Sequence, residues 1–384
     1  MSRLSRSRLG RLIALFALLP ALAACGADTP SPPPPASAES LRALGDNPGA
    51  DRESLARAMD RLFDDQELGK TRALVLMHRG AVVAERYAPG YGPETRFHGW
   101  SMGKTVTAVA IGMLVGEGRL RMDESPPIAL WQRAGDPRGD ITLRQLLQMR
   151  SGLRHRERPG PDFERPEYEG YAVRMLFLDG RDDMAAWALA QPLEAEPGRV
   201  FTYSTATGTI LADIAARALT RSREPSERQA AVYDLVHNRL FEPARLASMR
   251  AEFDAAGTMV GGAMIHANAR DWARFGEMLR HGGSVRGVQI VPRRWVEFMR
   301  RPSPRAPDYG AQLWLNRPSG TDRQMLFAGR GPDSLFAAVG HGGQYLIVSP
   351  DQHLTLLRLG QTEDSARPAV QDALADIVAL YPSR

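Results

Sequence analysis

Apolar residues at Leu55, Met59, Leu62 and Phe63 recur at helical spacing, which predicts an amphipathic first helix. Residues 73–77 and 81–84 are two apolar runs separated by His78-Arg79-Gly80, a pattern for two strands joined by a tight turn. Val106, Val109, Ala110, Ile111, Met113, Leu114 and Val115 then form an almost wholly apolar stretch. Such a stretch predicts a buried central helix, stopping near Gly116-Glu117-Gly118. Thr142-Leu143-Arg144-Gln145 has the form of a capping box opening a helix through Leu146, Leu147 and Met149, with Ser151-Gly152 ending it. Helical patterns return at residues 184–189, 208–219, 230–240 and 268–280, and strand signals are sparse between about 105 and 285. Residues 326–328, 335–339, 345–348 and 354–357 predict successive strands, and residues 368–381 a last helix with Val370, Leu374, Ile377, Val378 and Tyr381 on one side.

The simplest architecture is α+β. Strands from both chain ends form one antiparallel sheet flanked by the terminal helices, and a large, mostly helical lobe is inserted between them. Residues 51–100 and 286–384 make the sheet lobe and 101–285 the helical lobe, with a site expected in the cleft between them.

The beginning of the chain has a different texture. Arg3, Arg6, Arg8 and Arg11 precede an apolar run from Leu12 to Ala24, the form of an export signal. It ends in Leu22-Ala23-Ala24-Cys25, which resembles a bacterial lipobox, and Cys25 is the only cysteine. The expectation is a signal over 1–24, lipidation at Cys25, and a proline-rich tether over 25–50 holding the domain off a membrane. Gly26 rather than Asp after the cysteine favours the outer membrane, facing the periplasm. The signal also carries most of the charge: the chain is +5, and removing four arginines and no acids leaves +1. Nucleic acid is therefore not an expected partner, and the lipid is the expected membrane contact.

The chemistry concentrates where the central helix begins. Ser101 and Lys104 lie three apart, on one face of a helix. Of 49 Lys and Arg residues only Lys70 and Lys104 are lysines. Arginine does not give up its proton, so a lysine kept in an arginine-rich chain marks a need for proton transfer. Burial at the rim of an apolar helix lowers a lysine's pKa and frees the amine as a base. Gly99-Trp100-Ser101-Met102-Gly103 also fits the nucleophile elbow, but residues 91–96 predict turn and loop where the elbow needs a buried strand. Tyr203, among Thr202, Ser204 and Thr205, can carry a proton between nucleophile and leaving group, or simply be a half-buried aromatic. Gly340-His341-Gly342-Gly343 at the strand-rich end can bring a backbone N–H close to a substrate and, with that of Ser101, form an oxyanion hole. Eight scattered histidines and the absence of a His-Glu-x-x-His argue against a metal, and no cofactor motif appears.

Ser101-x-x-Lys104, Tyr203 a hundred residues on and a glycine-rich strand near the C-terminus resemble the serine β-lactamase and penicillin-binding group, in its class C-related branch. The Trp100-Ser101-Met102-Gly103-Lys104 opening is most similar to the 6-aminohexanoate-dimer hydrolase-like members. The resemblance implies a β-lactamase/transpeptidase-like fold over residues 51–381. It also implies Ser101 as nucleophile, Lys104 and Tyr203 sharing the base and acid roles, each with a depressed pKa, and Thr205, His341, Gly342 and Gly343 around the substrate. Two departures stand out. Tyr203-Ser204-Thr205 replaces the family's Tyr-x-Asn, and no lysine follows Lys104 to make a Lys-Thr-Gly strand, whose place falls to residues 341–343 or 335–339. Both point away from an efficient β-lactamase and toward small esters or linear amides. The second reading is a non-catalytic module of the same fold that binds a cell-wall peptide or a protein partner.

Overall fold

Arg79 and Gly80 both have positive φ, 53° and 85°, and close a two-residue hairpin between the strands Lys70–His78 and Ala81–Tyr87. This hairpin is one end of a six-stranded sheet in the computed structural model, which describes residues 33–157 and 170–383. Lys70–His78 pairs antiparallel with Leu354–Gln361, followed in the sheet by Gln344–Ser349, Phe336–Gly340 and a short edge strand, Trp314–Leu315. The sheet thus joins both ends of the chain.

Alternation along the strands divides the apolar residues between two cores. Ala73, Val75, Leu346, Val348, Leu357 and Leu359 face one core, built around the central helix Gly103–Gly116. Leu74, Leu76, Tyr345, Ile347, Leu354 and Leu356 face the other, with Leu55, Met59 and Leu62 of the helix Arg52–Asp64 and Val370, Leu374 and Ile377 of the helix Arg367–Ala379. The fold is α+β, with residues from Pro35 onward in one compact unit.

Several local expectations are met. The Thr142/Gln145 capping box forms, opening the helix Leu143–Leu147. Asn268 caps Ala269–Arg280, which ends at His281-Gly282-Gly283. The pattern over 230–240 spans the end of one helix, Pro225–Tyr233, and a wide π turn, Asp234–Phe241.

Two expectations fail. Residues 326–328 are not a strand: Leu326 and Phe327 are buried in the second core from a turn-rich segment, so their hydrophobicity reflects packing and not pairing. The tether also ends earlier than residue 50. Ser37 caps a short helix, Ala38–Arg42, and its N–H and hydroxyl both donate to Asp60, at 2.7 and 2.6 Å. Leu44 bridges to Ala84, and Gly45 N–H donates to Val83 O. This arm covers the Ala81–Tyr87 edge of the sheet, which would otherwise offer unpaired backbone groups. The export signal, Cys25 and the first part of the tether lie outside the described residues.

Candidate active site

Ser101 sits in a short turn of helix, Trp100–Met102, that runs directly into the buried central helix. A three-residue strand, Arg96–His98, precedes it and follows the turn and loop that the sequence predicts, which run to residue 95. That strand belongs to a small antiparallel sheet with Ile265–Asn268 and Arg250–Ala251, unlike the buried strand of a nucleophile elbow. Trp100 holds a left-handed φ of 50°, uncommon for a bulky side chain and a local strain imposed beside Ser101. The His98 ring stacks on Trp100 at 4.0 Å and on His266 at 4.7 Å, and its Nε2–H donates to Ala263 O. Burial holds the His98 pKa down at about 4, so this ring is neutral at physiological pH.

Lys104 is 1% exposed. Its Nζ lies 2.8 Å from Ser101 Oγ, 2.9 Å from Thr205 Oγ1 and 2.9 Å from the Gly262 carbonyl oxygen. Desolvation lowers its pKa to about 8, with the Glu157 carboxylate opposing the shift. The Tyr203 phenol neighbours the Ser101 hydroxyl, and Lys104 Nζ stands 5.0 Å from the centre of its ring. Tyr203 does not share the depressed pKa the resemblance implies. Burial, reinforced by Glu157, pushes its pKa well above the usual phenol value. The two groups are thereby separated: Lys104 is the one that readily becomes a neutral base, and Tyr203 stays a protonated phenol.

Tyr203 and Thr205 are set by the helix Thr205–Leu219, which Ser204 caps by accepting from Thr207 N–H. The segment through Gly261 and Gly262 threads between this helix and the central helix. A β-carbon at position 208 would stand 2.7 Å from Gly262 Cα, and one at 262 would run into the Thr205 carbonyl oxygen. Only glycines allow the approach that brings Gly262 O to Lys104.

The glycine-rich segment divides. The strand Phe336–Gly340 runs beside the Ser101 turn, and Gly340 lies against the Gly99 carbonyl so closely that a β-carbon would collide with it. Gly340 and His341 line the cleft, with the exposed His341 ring edge-on to Trp100 at 5.3 Å. Gly342 and Gly343 do not line it. They form the turn into Gln344–Ser349, with φ of 70° and 78°. The Gly343 carbonyl accepts from the fully buried Arg358 at 2.7 Å, and the Gly342 carbonyl accepts from Thr362 N–H at 3.0 Å. Their expected place beside the substrate is therefore corrected: the turn needs their conformation, and the residues of this segment that line the cleft with Ser101 are Gly340 and His341.

The cleft encloses about 790 Å³. Val173, Leu176 and Phe177 of the helix Tyr171–Phe177 form one apolar wall, and Trp314 and Met325 another. Arg323 and Arg367 also reach it, but Asp308 engages Arg323 at 2.5 and 2.8 Å, and Asp364 engages Arg367 at 2.5 Å. Among the described residues, no group of three or more His, Cys, Asp or Glu side chains could hold a metal.

Glu157 and Gly262 carry no motif and are missed in the sequence. Glu157 is one of 44 acidic residues. The Gly261-Gly262 pair is the one sequence sign of the close backbone approach.

The sequence model of the family described as Beta-lactamase matches residues 60–381. The chain is 23% identical over 316 residues to 6-aminohexanoate-dimer hydrolase of Paenarthrobacter ureafaciens, covering 81% of this chain and 78% of that protein. Two solved structures share the fold. A family VIII carboxylesterase has a TM-score of 0.58 and 18% identity, with 84% of this chain and 96% of that one covered. A D-stereospecific amidohydrolase from Streptomyces sp. has a TM-score of 0.56 and 17% identity, with 82% and 98% covered. With a family match over most of its length and the β-lactamase/transpeptidase-like α+β architecture, this chain belongs to the Beta-lactamase family, a family of serine hydrolases.

Proposed function

We propose that this protein is a serine hydrolase acting on small esters or linear amides by acyl transfer through Ser101. The observation that carries the reading is the buried Lys104 amine, 2.8 Å from Ser101 Oγ with its pKa held near 8. An ammonium kept out of water is costly, and the need for an available base gives that cost a purpose. In the first step Ser101 Oγ bonds to the substrate carbonyl carbon while its proton passes to Lys104 Nζ. The carbonyl oxygen becomes an oxyanion facing the backbone N–H groups of Ser101 and of the Gly340–His341 segment. As the tetrahedral intermediate collapses, Tyr203 O–H protonates the leaving alcohol or amine and is reprotonated from Lys104. Water then attacks the acyl-enzyme, its proton returns through the same groups, and Ser101 leaves with its hydrogen restored.

The mostly apolar walls favour an aliphatic or aromatic acyl portion. The strand beside Ser101 ends in Val339-Gly340-His341, with no lysine to hold a β-lactam carboxylate, which supports ester and linear-amide substrates over β-lactams. A 6-aminohexanoate-dimer hydrolase among the relatives, and an esterase and an amidohydrolase among the fold neighbours, support the same range. The export signal and Cys25 support a lipid-anchored protein facing the periplasm, a placement that the mass of the mature N-terminal peptide tests.

The catalytic reading is tested by intact mass after incubation with a fluorophosphonate. One adduct is expected on the full chain and none on Ser101→Ala. A folded protein that takes no adduct would favour the binding module.

A further inference from the structure

We propose that Glu157 is a positioning residue that, through the Thr205 hydroxyl, fixes how the Lys104 amine is turned, so that its lone pair faces Ser101 when its proton is lost. The inference rests on the hydrolase reading above and assigns the orientation of its base to a residue outside the Ser-Lys-Tyr set.

Counting donors and acceptors carries the argument. Glu157 holds Thr205 at two points: one carboxylate oxygen accepts Thr205 N–H at 2.7 Å and the other accepts the Thr205 hydroxyl. A carboxylate only accepts, so the Thr205 hydroxyl spends its single hydrogen on Glu157. Toward Lys104 Nζ, 2.9 Å away, Thr205 Oγ1 can then only accept. Gly262 O, also at 2.9 Å, is a carbonyl and can only accept. A neutral amine has two hydrogens and one lone pair. Both hydrogens are claimed by Thr205 and Gly262, and the remaining partner, Ser101 Oγ at 2.8 Å, is the one that has a hydrogen to give. The lone pair has nowhere else to point.

Glutamine at position 157 reverses this logic without changing shape. Its carbonyl oxygen must take Thr205 N–H, which turns its NH₂ toward Thr205 Oγ1. The Thr205 hydrogen is then released to bond the Lys104 lone pair and compete with Ser101.

Other charges near the base do not supply this control. Arg323 and Arg367 are engaged by Asp308 and Asp364, and the side-chain partners of Thr205 Oγ1 are Glu157 and Lys104. His341, the remaining titratable group on the cleft wall, is edge-on to Trp100.

The test is the pH dependence of Ser101 capture by a fluorophosphonate, in which the Ser101 Oγ–P bond forms, fluoride leaves and the Ser101 proton goes to Lys104. Full-length wild type, Glu157→Gln, Thr205→Val and Thr205→Ser are compared, each with its urea unfolding midpoint. Wild type is expected to gain rate through a midpoint near pH 8. In Glu157→Gln the plateau should fall roughly tenfold to a hundredfold, part of what a positioned base contributes. The midpoint should move to lower pH, because the carboxylate that raises the lysine's pKa is gone. A variant with more neutral lysine and a slower reaction is the signature of a misdirected lone pair. Thr205→Val should lose rate similarly and Thr205→Ser should stay within about threefold of wild type, since only the serine keeps the hydroxyl.

An undiminished plateau in Glu157→Gln would overturn the proposal. If that variant does not fold, a Thr205→Val protein as reactive as wild type would overturn it equally. Wild type that is never captured at any pH would instead remove the hydrolase reading itself, and this inference with it.

Discussion

Burial acts on Lys104 and Tyr203 in opposite directions. Taking a charge out of water disfavours the ammonium and the phenolate alike, so the lysine's pKa falls to about 8 while the tyrosine's rises. The base and acid roles that the sequence leaves shared are thereby separated. Lys104 must be neutral to act, and its neutral fraction grows as pH rises through about 8. Turnover of a neutral ester should therefore climb about tenfold per pH unit below that point and level off above it, as a pH–kcat/KM profile would show. Lys104→Arg should be inactive across the range, because arginine keeps its proton. Tyr203→Phe removes the acid alone. Its kcat on a linear amide should fall by roughly 10²–10⁴, whereas a nitrophenyl ester, whose leaving group departs without a proton, should lose far less. Equal losses on both substrates would assign Tyr203 another role.

At the scale of elements, the site depends on how closely the helices Gly103–Gly116 and Thr205–Leu219 approach the strand of chain that carries Gly262. Gly262→Ala would force its β-carbon into the Thr205 carbonyl and separate the Lys104 acceptors. The expected cost is about 1–3 kcal/mol in urea unfolding, with a loss of turnover larger than the loss of folded protein explains. Legibility follows from the range of each interaction. Ser101 and Lys104 share a helical turn, so three residues of sequence carry their contact. The capping box at Thr142 and the period-two strands are local in the same way. Glu157 reaches Thr205 across 48 residues and Gly262 reaches Lys104 across 158, and the Gly261-Gly262 pair, which names no partner, is the one local sign of either. Gly342 and Gly343 show the converse failure, since glycine density marks a turn as readily as a substrate approach, and only the pairing of Gln344 with Gly340 tells which. The burial of Leu326 and Phe327 was legible as hydrophobicity, but not the absence of a strand partner.

At the scale of the whole molecule, the sheet divides a core built around the central helix from a core that holds the termini together, and Tyr203 and Trp314 of the cleft pack with the second. The terminal arm belongs to the second function, although its proline, serine and alanine content suggests a spacer. Arg86 on the Ala81–Tyr87 strand explains why the arm is held. Its side chain is almost wholly buried, lies 4.2 Å from the centre of the Phe63 ring, and donates to Ser40 Oγ at 2.9 Å, Asp60 at 3.0 Å and Glu39 at 3.3 Å. Two of those three acceptors come from the arm. A protein beginning at Asp51 keeps Asp60 but exposes the strand edge, uncovers the surface under Leu44 and leaves Arg86 short of partners. It should be less stable than one beginning at Pro35 by about 2–4 kcal/mol, combining one buried leucine with the lost hydrogen bonds. Urea unfolding of the two truncated proteins measures the difference directly. Because the cleft is lined by no residue of the arm, the shorter protein, at urea concentrations where it stays folded, should capture a fluorophosphonate at the same rate per folded molecule. Equal unfolding midpoints would mean that the arm is a spacer after all.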